Sequence, residues 1–276
     1  MSTARELMGT DRGAKGRRWG WWYVFEHRLL NMRAYAWSIT MSSIGTPLFY
    51  LFALGVGLGA LVDANTGSRG IDGVSYLTFV GPALLASAAI TSAFEESAFP
   101  VMSGFKWSRE FFAMNATVVG SGQIMVGVLA AAAFRVVLTV SIYWALLAAF
   151  GAAPSPLSFL AVFAALLGGL SFATPIMAFA ASLEDDQGYF ALIGRFVIAP
   201  MFLFSGTFYP LEQLPVGLQA VGWISPLWHA TELGRWATYG HEQSATMILV
   251  HIAYLTVLAA VGLALARGLF ARRLSR

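Results

Sequence analysis

The chain contains no cysteine among its 276 residues and little charge: Asp, Glu, Lys and Arg make up 11% of it, against 58% hydrophobic residues. The first absence excludes a disulfide framework, thiol catalysis and a cysteine metal cluster. The second excludes an ordinary soluble domain, where roughly 25% of residues are charged. Lysine is reduced to Lys15 and Lys106. Neither lies in a Gly-x-x-x-x-Gly-Lys-Ser/Thr loop, so the sequence holds no phosphate cradle and no ATP-driven engine of its own. Carboxylates gather at the ends of apolar runs, as in Glu95-Glu96 and Glu184-Asp185-Asp186, which speaks against a proton relay through a membrane. No histidine and carboxylate cluster has metal-ligand spacing, so no metal is expected. The net charge of +3 does not mark a nucleic-acid binder, because the basic residues flank apolar runs instead of forming a groove-sized patch.

What the chain has is long apolar runs, with a mean hydropathy of +0.68. They predict an all-α membrane protein with six transmembrane helices, at about Ala36–Leu61, Ser75–Glu95, Gln123–Phe150, Ser158–Leu183, Phe190–Tyr209 and Thr246–Ala266. Thirteen of the seventeen basic residues fall in the N-terminal segment, between spans two and three, or in the tail. Only Arg69 and Arg235 fall in the opposite loops, so the positive-inside rule puts both termini in the cytoplasm. Residues 1–18 form a basic cytoplasmic tail, solvated or disordered and without the h-region of a cleavable signal. Residues 19–35 interleave Trp21, Trp22, Phe25, Leu29 and Leu30 with Glu26, His27, Arg28 and Arg33, the pattern of an N-terminal amphipathic interfacial helix. Residues 36–276 form one membrane domain without internal repeats.

Three features carry function. Between spans two and three, Phe105, Lys106, Trp107, Arg109 and Glu110 read as a short element that docks on a cytosolic motor, aromatic and arginine anchors carrying the contact; the plainer reading is a loop resting in headgroups. Arg135 falls mid-span, where a charge requires a partner, and Glu95 or Glu96 are candidates; Arg195 reads as a snorkelling rim residue and His251 as a lone packing residue. After span five, residues 202–236 stay apolar but are cut by Gly206, Pro210, Pro215 and Pro226, with Trp228 following. They offer no run of the ~20 residues a crossing needs. This predicts a re-entrant outer hairpin between spans five and six, capping a pathway.

Gly81-Pro82-Ala83-Leu84-Leu85 leading to Phe94-Glu95, Lys106-Trp107-x-Arg109-Glu110 leading to Gly127 and Arg135, and Phe204-Ser205-Gly206-Thr207-Phe208-Tyr209-Pro210 followed by Leu214-Pro215 and Ser225-Pro226-Leu227-Trp228-His229 occur in one order. In this the chain resembles the type-2 ABC-transporter permease family, in the branch of nodulation-factor (lipo-oligosaccharide) and daunorubicin-type exporters. It departs at Asn115-Ala116-Thr117-Val118-Val119, which lacks the proline common there. The resemblance implies a half-transporter in the cytoplasmic membrane, paired with a second permease copy. Two copies of a separate ABC ATPase subunit would bind the ATP and Mg. Trp22, Glu26 and Arg28 of the connecting helix join Phe105 to Glu110 as ATPase-coupling residues. The route lies between spans one, two and five, making Phe49, Tyr50, Phe202, Phe204 and Phe208 pathway candidates for an amphipathic substrate. Two other classes compete: a secondary transporter or lipid-modifying membrane enzyme, and an intramembrane serine protease using Ser205 and His251, although Leu203 stands where a Gly-x-Ser-Gly motif needs glycine.

Overall fold

A computed structural model describes residues 2–66 and 70–275, with side chains from Arg17 onward except Val56 and Thr66. Arg69, Arg276 and the side chains of Arg5, Arg12 and Lys15 lie outside the described residues. The described residues fold into helices joined by turns and loops, with one isolated bridge between Ile71 and Val74 and no strand among them.

Helix α1 covers Ser2–Ala34 and α2 covers Ala36–Tyr50, continuing through a π-helical stretch, Leu51–Leu58, into α3, Gly59–Thr66. Helix α4, Tyr76–Met102, runs into a second π-helical stretch, Ser103–Trp107, followed by the short α5, Glu110–Asn115. Helices α6 (Ser121–Ala149) and α7 (Leu160–Ser182) come next. The chain then passes through α8 (Tyr189–Ile193), a third π-helical stretch (Gly194–Ile198) and α9 (Ala199–Phe204). It closes with α10 (Val216–Ile224), α11 (Pro226–Tyr239) and α12 (Ala245–Leu274).

Serines start three of these helices. Ser75, Ser225 and Ser244 each accept a backbone N–H from the first turn of α4, α11 and α12, satisfying a donor that has no intrahelical partner. Pro226 follows its cap at the first helical position, where a missing N–H costs nothing. Pro47, Pro82, Pro100 and Pro175 sit inside helices, as membrane helices tolerate when neighbours satisfy the freed backbone.

Among the described residues five helices are long and apolar enough to cross a membrane: Ala36–Asn65, Tyr76–Trp107, Ser121–Ala149, Leu160–Ser182 and Ala245–Leu274. The expected fifth span, Phe190–Tyr209, is a shorter apolar helix, Tyr189–Phe204. It stops early because Gly206 turns the backbone to φ +70 and Pro210 cannot continue a helix. The second span instead runs past its expected end at Glu95, because its residues to Met102 pack into the core. The N-terminal tail and the aromatic segment form one helix with no break at residue 18; Ala, Arg, Leu, Met and Lys there are good helix formers.

Helix α4 is the axis of the bundle, with 78% of its apolar stretch buried against α6, α7 and α11. The α2–α3 span and α12 are 18% and 17% buried, so most of their apolar surface faces outward. Helix α1 docks on α6 through Val24, which sits so close to Gly127 that a Cβ there would lie 2.6 Å from it. Trp19, Trp22, Tyr23 and Leu30 point away from that contact.

Candidate functional site

A chain of ion pairs runs from the middle of α6 toward the end of the bundle where α4 finishes. Arg135, at the midpoint of α6, reaches Glu96 at 3.3 Å and Glu95 at 3.9 Å. Arg28 of α1 lies 3.8 Å from Glu96 and 3.8 Å from Glu110 of α5, and His27 Nε2 lies 3.3 Å from Glu110. The carboxylates expected to answer Arg135 do so, and the network extends through Arg28 to α5. A mid-span guanidinium left bare would be expensive, and this arrangement compensates it with two neighbouring carboxylates of α4.

The coupling candidates divide by placement. Phe105 is buried between Phe111 and Phe270, at ring distances of 5.1 Å and 4.9 Å, and Arg273 stacks over it. Trp107, two residues on, is 55% exposed. Lys106 pairs with Asp185 at 3.5 Å, and Arg109, exposed at φ +55, lies over Phe112. Trp22 and Glu26 are exposed, whereas Arg28 and Glu110 are tied into the ion-pair chain. In place of the missing proline, the Thr117 hydroxyl donates to the Met114 carbonyl at 2.7 Å and accepts the Val119 N–H. A threonine therefore closes this turn.

Beside Arg135 lies a cavity of about 350 Å³ between α2, α4, α6 and the α8–α9 segment, reached also by Leu227 of α11. Of the pathway candidates, Tyr50 and Phe202 line it, their rings 6.1 Å apart, and Phe208 packs on Phe202 at 5.1 Å. Phe49 is 78% exposed and faces away, and Phe204 is half-buried outside the lining. Of the three π-helical stretches, Gly194–Ile198 lines this cavity, Leu51–Leu58 begins one residue beyond Tyr50, and the third holds Trp107. Such stretches recur at functional sites because they re-aim a helix face.

At the opposite end, α11 is buried along most of its length. Gly168 of α7 admits Ala230, and Gly234 sits against Pro82 of α4. Arg235, 2% exposed, bonds Glu232 at 2.8 Å and the Gly206 carbonyl at 2.6 Å, and stacks on Phe79 at 3.9 Å. Glu232 also accepts from Gln243 at 2.8 Å and faces His241. Trp228 is buried against Trp223, and Pro215 and Pro226 open α10 and α11, while Pro210 precedes a 3-10 turn at Leu211–Gln213. Gly206, Pro210, Pro215, Pro226 and Trp228 thus belong to one folded segment, which Arg235 joins at the Gly206 carbonyl.

The protease dyad does not form. The Ser205 hydroxyl donates to Ser225 at 2.7 Å, and His251 pairs with His229 at 2.7 Å, so His251 is not the lone residue expected. Arg195 is exposed. Among the described residues no group of three or more His, Asp or Glu is arranged to hold a metal ion.

A family model for the ABC-2 type transporter matches residues 21–239. The chain belongs to the ABC-2 type transporter family. Its relatives include Nodulation protein J of Rhizobium leguminosarum bv. viciae, 30% identical over 93% of this chain and 95% of that protein. Nodulation protein J of Rhizobium meliloti strain 1021 is 31% identical over 93% and 94%. That of Neorhizobium galegae is 32% identical over 80% and 82%. The resemblance drawn from the three sequence pieces is therefore borne out, and the chain is a multi-pass membrane permease of this family. The match runs from Trp21 in α1 to the last residue of α11, taking in both the ion-pair chain and the Arg235 anchor.

Sequence reasoning did not identify Arg235 and Glu232, assigning Arg235 to a loop. The signal was present: Ser225-Pro226 is a helix start, and Glu232 and Arg235 then fall three apart on one helical face.

Proposed function

We propose that the chain is the membrane permease of an ATP-driven exporter for an amphipathic substrate such as a lipo-oligosaccharide, glycolipid or drug. It sits in the cytoplasmic membrane with both termini inside, pairs with a second permease copy, and receives its motion from two cytosolic ABC ATPase subunits that bind ATP and Mg. The observation that carries this reading is the continuous ion-pair chain from Arg135, on the cavity, through Glu96 and Arg28 to Glu110, beside the exposed Trp107.

The Tyr189–Phe204 helix is about 24 Å long at 1.5 Å per residue, against a hydrocarbon core of about 30 Å, so it serves as a short sixth crossing. The missing length is filled by α10 and α11 folding back. Pro82 lies about 9 Å inside the start of α4 and Gly168 about 12 Å inside that of α7, which supports a re-entrant α11 at membrane depth. Its backbone is tolerable there because protein surrounds it. Trp19, Trp22 and Tyr23 on the open face of α1 suit the headgroup layer, making α1 an interfacial connecting helix.

Nucleotide held by the partner subunits supplies the closing force. This chain receives it at Trp107, Arg109 and Lys106, and the clamp of Phe105 between Phe111, Phe270 and Arg273 makes that element stiff enough to pass a push to α4 and α12. Replacing Trp107 and Arg109 together by alanine should leave the permease folded but cut substrate-stimulated ATPase of the reconstituted complex by at least about tenfold, the scale of a lost anchor at a protein interface. Full stimulation in that variant would refute the assigned contact.

A further inference from the structure

The π-helical stretch Ser103–Trp107, the last turn of α7 and the last turn of α12 meet at one point, and Arg273 of α12 touches the other two. Its guanidinium lies 4.4 Å over the Phe105 ring. Its Nη1 donates to the Ala181 carbonyl at 3.0 Å and lies 3.5 Å from that of Ala180. The last carbonyls of a helix have no partner within it, and a basic side chain at that end satisfies them. One flat group thus stacks with its face and bonds with its edge, a pair of contacts that a lysine ammonium does not reproduce.

The other ties between these segments lead elsewhere or are weaker. Phe270 packs on both Phe105 and Phe111, and Asn115 Nδ2 donates to the Leu274 carbonyl at 3.2 Å, which fixes the segment to α12. Lys106 with Asp185 joins it to the loop after α7, but both side chains are about half exposed, and such a pair holds little. Arg273 is the firmer link from Phe105 to α7. From Ala181 the helix runs about 20 Å, at 1.5 Å per residue, to Gly168, where α11 packs so closely that a Cβ would lie 2.6 Å from Ala230. Pro175 interrupts α7 on the way, and Gly262 of α12 is pressed against it, a Cβ there lying 2.5 Å from the proline nitrogen, so the weak point is braced. We propose that Arg273 is a positioning residue for coupling: it carries displacement of the Phe105–Trp107 segment into α7, and α7 delivers that displacement to α11 and the outer hairpin. The proposal rests on the permease reading and adds a route to it. The rival route runs straight along α4, which is continuous with the same segment and meets α11 where Pro82 touches Gly234.

The absence of cysteine makes the test direct. A spin label on Val216→Cys, at an outward position of α10, reports by electron–electron double resonance the distance between the hairpins of two permease copies in the complex with the cassette ATPase. The distance is read without nucleotide and after trapping with ATP and vanadate, and it should shift on trapping when Arg273 is intact. At equal trapped nucleotide, Arg273→Met should lose the shift. Arg273→Lys keeps the charge and the reach to the Ala181 carbonyl but not the flat stack on Phe105. It should hold the unfolding temperature and still lose most of the shift, which separates positioning from damage to the fold. Asp185→Asn, which weakens only the exposed pair, should keep the shift. An undiminished shift in both Arg273 variants would overturn the proposal and leave α4 as the route, and equal loss in Asp185→Asn would overturn it in favour of the Lys106 pair. An intact permease that binds no ATPase, or whose hairpins stay put on trapping, would instead remove the permease reading itself and the proposal with it.

Discussion

Among the described residues two arginines are buried, and they are held in opposite ways. Arg235 has a carboxylate at 2.8 Å, carbonyls at 2.6 Å and 3.5 Å and an aromatic face at 3.9 Å, and is shut off from solvent. Arg135 has looser contacts at 3.3 Å and 3.9 Å, keeps its Nε unpartnered, and borders a cavity. A charge bound at full coordination in a dry site has one arrangement and acts as an anchor. A charge bound at the limit of ion-pair distance, shared among Glu95, Glu96 and indirectly Arg28, has alternatives close in energy and can respond to what enters beside it. The two regions therefore differ in how tightly each holds its buried charge.

The comparison can be broken at its stronger member first. Arg235→Met leaves Glu232 buried and strips the Gly206 carbonyl of its donor, so it should cost about 3–5 kcal/mol. In a thermal unfolding series in detergent this variant should be the least stable, with α10 and α11 becoming protease-sensitive. If it unfolds with the wild type, the hairpin is not held by Arg235. Arg135→Met should cost less, about 1–3 kcal/mol, because Glu96 retains Arg28 at 3.8 Å and half of the Glu95 side chain is exposed. Its larger effect should be on function, with substrate no longer stimulating the partner ATPase in a complex that still assembles. A variant that loses stability like Arg235→Met yet couples normally would reverse the two assignments.

How much of this was legible in the sequence follows the same division. Arg135 was readable because its neighbours are apolar, which obliges a counter-charge, and Glu95-Glu96 is close at hand on the preceding apolar run. Arg235 was not, because Thr-Glu-Leu-Gly-Arg-Trp has the polarity of a surface helix and only the inward folding of α11 buries it. Trp107 and Phe105 look equivalent in the sequence; the π-helical turn at Ser103–Trp107 sends one inward and the other out. The extent of the fifth apolar run was overread, since hydropathy continues through Phe208 while the helix stops at Phe204. The cavity was invisible, because its lining residues come from helices far apart in the chain and no local period marks them.

The central claim is that this chain provides the pathway and another polypeptide provides the power. The direct measurement is ATP turnover and substrate movement in proteoliposomes holding the chain alone, then with its cassette ATPase added. The account predicts no ATP hydrolysis and no transport from the chain alone, and both on addition of the partner. ATP turnover by the chain alone, or transport driven by an ion gradient without nucleotide, would contradict it.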